Sequence, residues 1–121
     1  MKQLFLGIVV AGIVVACSSE DPAQTAEADV VNVSIGGANG FVFEPAQVRI
    51  KVGQTIRWTW MGGGEHNVVS GDNCTQDDKF PRSGAPQGGG TYERKFDVAG
   101  TFPYFCEPHC SMGMKGEVIV E

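Results

Sequence analysis

The chain has 121 residues, of which 42% are hydrophobic and 19% charged, with a formal net charge of −5. That length suits one small domain, and the apolar content excludes an intrinsically disordered chain. The acidic balance, without any run of Lys or Arg, argues against nucleic acid or an anionic lipid surface as partner of the folded part and fits a partner with a basic face.

Met1-Lys2-Gln3 precedes an uncharged apolar run over residues 4–16, after which Cys17 opens a polar stretch. The run is shorter than the roughly 20 residues a membrane helix needs. A basic start, an apolar middle and a small residue before the break instead describe an export signal. Val14-Val15-Ala16-Cys17 resembles a bacterial lipobox, in which the signal is cut before the cysteine and the new N-terminus is lipidated. The expectation is therefore a signal peptide over 1–16, a lipid on Cys17, a flexible acidic tether over 17–29 and a folded domain over 30–121. Such a protein is exported to the bacterial cell envelope, in the periplasm or on the outer face, and held at the membrane by its lipid. The plain alternative is an ordinary secreted protein in which Cys17 is incidental or removed.

From Val30 onward the sequence alternates in short runs. Val31, Val33 and Ile35 share one face of a first strand; Phe41 and Phe43, then Val48, Ile50 and Val52, continue the period of two until Gly53-Gln54 breaks it. Ile56, Trp58 and Trp60 alternate with Arg57 and Thr59 as a half-buried strand. Residues 66–69 form a short further run, and residues 70–90 read as a long polar loop, a kind that is often functional or covalently secured. Thr91, Tyr92, Arg94 and Phe96 resume strand character, residues 97–100 turn, residues 101–105 extend again, and residues 116–120 make a last strand. No stretch keeps a helical period. About seven to eight short strands with turn-rich connections predict an all-β Greek-key sandwich. The glycine triplets at 62–64 and 88–90 lack the Lys-Ser/Thr of a phosphate loop and read as turns.

The chain has only two histidines, His66 and His109, and His109 lies in the segment Cys106-Glu107-Pro108-His109-Cys110-Ser111-Met112-Gly113-Met114. Imidazole, thiolate and thioether together are the donors that suit copper in both oxidation states, and two His with one Cys and a weak axial Met is the electron-transfer arrangement. Strand ends would hold such ligands so that they cannot relax independently, with Pro108 stiffening the turn between Cys106 and His109. Met112, Met114, Phe41, Phe43 and Pro45 can supply an apolar shell around the ion. Of the four cysteines, Cys17 would carry lipid and Cys106 would bind metal. Cys74 and Cys110 remain, and in an oxidising compartment they either form a disulfide that fastens the long loop to the metal loop or stay as two buried thiols. With both histidines committed to metal, no nucleophile–histidine scheme is available, and the chain is not read as an enzyme.

The segment resembles the type 1 (blue) copper proteins of the plastocyanin family, most closely the halocyanin-like branch, whose fold is the cupredoxin sandwich. The matching pieces are Phe43-Glu44-Pro45, Val52-Gly53-Gln54-Thr55-Ile56-Arg57-Trp58, His66-Asn67-Val68-Val69, Gly90-Thr91-Tyr92, Gly100-Thr101-Phe102, Tyr104-Phe105-Cys106-Glu107-Pro108-His109 and Gly113-Met114-Lys115-Gly116. The resemblance implies His66, Cys106 and His109 as equatorial ligands of one copper ion, Met114 as the axial one, and Met112 in a core or rim role. It also implies that the Asn67 backbone amide donates to the cysteine sulfur, and that the edge of His109 lies near the surface and passes single electrons. Redox proteins, such as a cytochrome or a membrane oxidoreductase complex, would then be the partners of a monomeric carrier. Asp72, Asp77, Asp78 and Glu107 either steer a basic partner or are simply solvated loop positions.

Three other readings share these residues. Zinc held by His66, Cys106, His109 and Cys110 would be a closed structural site. A binuclear purple copper centre would use Cys106 and Cys110 together. A copper chaperone or store would keep the fold but hold its metal in an open, exchangeable site.

Overall fold

The computed structural model describes residues 29–121. The expected signal peptide, the lipidated Cys17 and all but the last residue of the tether lie outside the described residues.

Nine strands form two sheets: β1 (Val30–Ile35), β2 (Phe43–Glu44), β3 (Gln47–Ile50), β4 (Thr55–Trp60), β5 (Val69–Asp72), β6 (Thr75–Gln76), β7 (Thr91–Lys95), β8 (Gly100–Phe105) and β9 (Lys115–Val120). One sheet has the order β2-β1-β4-β7 and the other β3-β9-β8-β5-β6. The all-β sandwich expected from the alternation is thus present, with more strands than expected.

The alternation dictates which faces meet. In β4, Ile56, Trp58 and Trp60 are buried while Thr55, Arg57 and Thr59 are only half-buried. β1 runs parallel to β4 and sets Val33 beside Trp58 and Ile35 beside Trp60, so the two inward rows pack as one layer. Val48 and Ile50 of β3 and Val118 and Val120 of β9 form the facing layer in parallel register. Full burial of an aliphatic or aromatic side chain contributes roughly 1.5–3 kcal/mol, and this inward set supplies the stability that the short, glycine-broken connections do not. Gly116 marks one close approach: a Cβ there would lie 2.3 Å from the Tyr104 ring, and Tyr104 is its register partner across β8 and β9.

Four expectations change. Phe41 is not in a strand and is 40% exposed, because Gly36, Gly37 and Gly40, all with positive φ, turn the chain before β2. Val52 lies in a turn and is exposed. The segment 70–90, read as one polar loop, begins with a hairpin in which β5 and β6 pair Asp72 with Thr75 and Gly71 with Gln76. Its strands are too short and too polar to show a period. Within residues 66–69 only Val69 is in a strand, although all four are buried.

Tyr104 is fully buried, and its hydroxyl, like Trp58 Nε1, has no conventional hydrogen-bond partner. Burial raises its ionisation far above the ordinary range of a phenol, with the Trp58 indole opposing slightly. The folded state therefore keeps a proton that the unfolded chain releases near pH 10, so stability is unaffected below that pH and falls as pH rises beyond it. Tyr104→Phe should cost less than about 1.5 kcal/mol at pH 7, since no bond is lost. In urea titrations at pH 7 and pH 11 it should lose less stability between the two than the wild type does.

Candidate metal centre

Two strand ends and one long connection build the site at a single pole of the sandwich. After β4 the chain turns through Gly62, Gly63 and Gly64 and reaches His66, whose backbone is fixed on both sides: its N–H donates to the Gln87 carbonyl and its own carbonyl accepts from Gln87 N–H, each at 2.9 Å. The Trp60 indole N–H donates to the same carbonyl at 2.7 Å. Gly36 lies against the imidazole, where a Cβ would stand 2.8 Å from Nε2; only glycine permits that approach.

Cys106 follows directly on β8. Its N–H donates to the Met114 carbonyl at 3.1 Å, and Met114 N–H donates back to the His109 carbonyl at 3.2 Å. The ligand loop therefore closes on itself between β8 and β9. Pro108 sits in the turn between Glu107 and His109, as expected from its fixed φ.

These elements bring three donors together. His66 Nδ1 and His109 Nδ1 are 3.1 Å apart, and Cys106 Sγ lies 3.8 Å from the first and 3.6 Å from the second. All three donor atoms fall within 4.8 Å of one another. Bonds of about 2.0–2.1 Å to imidazole nitrogen and about 2.3 Å to thiolate sulfur set the donors of a trigonal site roughly 3.5–3.8 Å apart. The sulfur–nitrogen separations meet that spacing and the nitrogen pair falls slightly inside it, so the cluster fits one ion. His66, Cys106 and Met114 have no exposed surface, and His109 alone is partly exposed.

The electrostatics agree with a site built for a cation. Burial lowers the pKa of His66, the neighbouring His109 adds to this, and the Gly63 carbonyl opposes it; the charged ring is disfavoured, and Nδ1 faces the cluster. Burial pushes the Cys106 thiol up, against the backbone N–H groups of Asn67 and His109, which favour the thiolate. A buried thiol that resists ionising alone and faces two imidazole nitrogens is a site where a metal ion would replace the proton.

The apolar surround is smaller than expected. Phe41 stacks face to face on the His109 ring, with centroids 3.8 Å apart and planes at 9°, and meets His66 edge-on at 5.9 Å. Phe43 is buried against Tyr104, Pro45 is exposed, and Met112, at 64% exposure, belongs to the rim.

Cys74 and Cys110 form a disulfide with Cα atoms 5.8 Å apart, and Cys106 is the free cysteine among the described residues. The bridge spans 36 positions, a closure that typically stabilises by about 2–4 kcal/mol. Bridging also removes Cys110 from the zinc set and from a two-cysteine copper centre, each of which needs its thiolate.

Two features escaped the sequence. The buried Asn67 side chain links the two ligand-bearing segments: Oδ1 accepts from Glu107 N–H at 2.9 Å, and Nδ2 donates to Glu107 Oε1 at 2.7 Å and to the Gly84 carbonyl at 3.1 Å. Arg82 then pairs with Glu107. Asp77 is bonded within the loop, accepting from Ser70 Oγ at 2.6 Å and from Lys79 N–H at 2.9 Å. No local pattern foretells contacts between positions forty apart.

A single-ion His2Cys pole on a Greek-key sandwich defines a cupredoxin. A family model described as copper binding proteins, plastocyanin/azurin family, matches residues 29–121, and the chain belongs to that family. It is 44% identical over 99 residues to the halocyanin of Natronomonas pharaonis, covering 81% of this chain and 60% of that protein's length. It is 40% identical over 126 residues to the chloroplastic plastocyanin of Tetradesmus obliquus, covering 95% and 77%. Among solved structures, a purple cupredoxin from Nitrosopumilus maritimus superposes with a TM-score of 0.64 at 25% identity, over 75% of this chain and 99% of the other. The pseudoazurin of Methylobacterium extorquens AM1 gives 0.60 at 32%, over 75% and 74%.

Asn67→Ala should leave the Glu107 N–H without its partner and cost about 1–3 kcal/mol, read as a lowered urea midpoint of the metal-free protein at unchanged m-value.

Proposed function

We propose that this protein is a mononuclear type 1 copper carrier that shuttles single electrons between redox proteins and performs no catalysis of its own. His66, Cys106 and His109 would hold the ion through two imidazole nitrogens and one sulfur, and the buried Met114 would offer a thioether as the further donor. The observation that carries the reading is the preassembled, buried cluster of two imidazole Nδ1 atoms and one thiol. Copper held by such a set would supply one-electron redox chemistry.

The chain does the rest. The Gln87 and Trp60 contacts fix His66, the closed turn from Cys106 to Met114 fixes the other donors, and full burial of three of the four excludes water. Backbone N–H groups of Asn67 and His109 stabilise negative charge on sulfur. His109 is the partly exposed member, so its ring, with Phe41 on its face, is the route by which charge enters and leaves. A cytochrome or a membrane oxidoreductase complex fits as partner. A chaperone or store would offer its metal openly, and the burial of His66, Cys106 and Met114 speaks against that.

The signal at 1–16, the lipid on Cys17 and the tether at 17–29 complete the proposal: a monomeric domain over 30–121, exported to the bacterial cell envelope and held at the membrane. Support comes from the sequence alone, in the apolar run that ends at Cys17.

Copper(II) added to the purified protein should produce one intense visible absorption band at one ion per chain. Cys106→Ser should abolish that band; a colourless wild type, or a variant that keeps the band, would refute the site. In cells fed labelled palmitate, label should enter the wild type and be absent from Cys17→Ala, and equal labelling of both would remove the anchor.

A further inference from the structure

The Cys74–Cys110 bridge is placed where it acts on the donors. Its shortest covalent route joins the two imidazoles: eight positions separate His66 from Cys74 and one separates Cys110 from His109, whereas the main chain between the histidines runs 43. Cys110 packs with Val69 and Phe105, which face each other across β5 and β8, so the bridge rests on the strand pair that leads from one ligand and into another.

A second observation is independent of that path. Asn73 and Cys74 are the two central residues of the β5–β6 hairpin, with φ of 49° and 59°. Two-residue hairpins of this kind favour Asn followed by Gly, because both positions need a left-handed backbone. Cysteine stands at the glycine position and carries the steric cost of a Cβ there. Only the bridge gives it a reason to do so.

The same piece of chain is also bonded to residues that follow His66. Ser83 N–H donates to the Val68 carbonyl, Val68 N–H to Ser83 Oγ, and Asp77 N–H to the Ser70 carbonyl. His109 is therefore gripped on both flanks: Glu107 through Asn67 and Arg82, and Cys110 through Cys74. Burial alone does not hold it, since its ring is partly exposed.

We propose that the Cys74–Cys110 bridge is a positioning element of the metal centre, fixing the spacing of His66 and His109 so that the donor set does not relax when an electron arrives or leaves. This rests on the copper-carrier reading. Ligands held by a supporting shell are those that keep their geometry through a reaction.

The test compares the wild type with Cys74→Gly/Cys110→Ala, in which glycine suits the left-handed turn and alanine keeps an apolar Cβ against Val69 and Phe105 while the covalent link is lost, and with Ser83→Ala, which weakens the same segment but keeps the bridge. Amide hydrogen exchange of Gly113 and Met114 is read in the metal-free proteins. Electron self-exchange between copper(I)- and copper(II)-loaded molecules is read by NMR line broadening. The double variant should fold and bind one copper, its two amides should exchange at least about tenfold faster and its self-exchange should slow about tenfold, while Ser83→Ala lowers the melting temperature and moves neither rate. Wild-type rates in the double variant, equal slowing in Ser83→Ala, or failure of the double variant to fold would each overturn the proposal. A wild type that never turns blue would instead defeat the carrier reading, and the metal-free amide rates would still decide whether the bridge orders the loop.

Discussion

Three electron-rich atoms are kept within 4.8 Å of one another at a largely buried pole, and the fold around them answers to that demand. A thiol and two imidazoles so placed have poor alternatives: burial opposes the thiolate, and burial together with the second ring opposes the imidazolium at His66. Charge balance is restored when a cation takes the centre. The cluster is therefore ordered around a need, and the backbone around it must hold it together.

The sandwich meets that cost by making each donor an extension of a strand or of a fixed turn. Cys106 continues β8, Met114 leads into β9, and His66 is clamped by a reciprocal backbone pair with Gln87. The layer of Ile56, Trp58 and Trp60 against Val118 and Val120 keeps these strand ends from shifting relative to one another. Close approach at Gly36 and Gly116 is part of the same economy of space, since a methyl group at either would collide with an imidazole or a phenol.

Much of this was legible in the sequence because the determining patterns are local. Period-two alternation exposed β1, β4 and β9, and the spacing of Cys106, His109 and Met114 in one short loop exposed most of the donor set. The bridge emerged from accounting for four cysteines by compartment. What stayed hidden is long-range or conformational. The β5–β6 hairpin has strands of four and two residues, too short to show a period. Phe41 reads as one more alternating residue, yet three glycines with positive φ swing it out of the sheet and onto His109. Asn67 looks like a ligand's neighbour, and its side-chain bond to a residue forty positions away has no signature in either segment.

The paired grip on Glu107 and Cys110 also bears on how such proteins can be altered. Residues 106–114 look like a self-contained cassette, but their two outer handles are held by Asn67 and by a hairpin from a different part of the chain. Transplanting the cassette into another scaffold would leave Glu107 without Asn67 and Cys110 without a mate. The inheritable unit is thus larger than the stretch that touches metal, and it is discontinuous: loop and strap must diverge together, or neither keeps its shape.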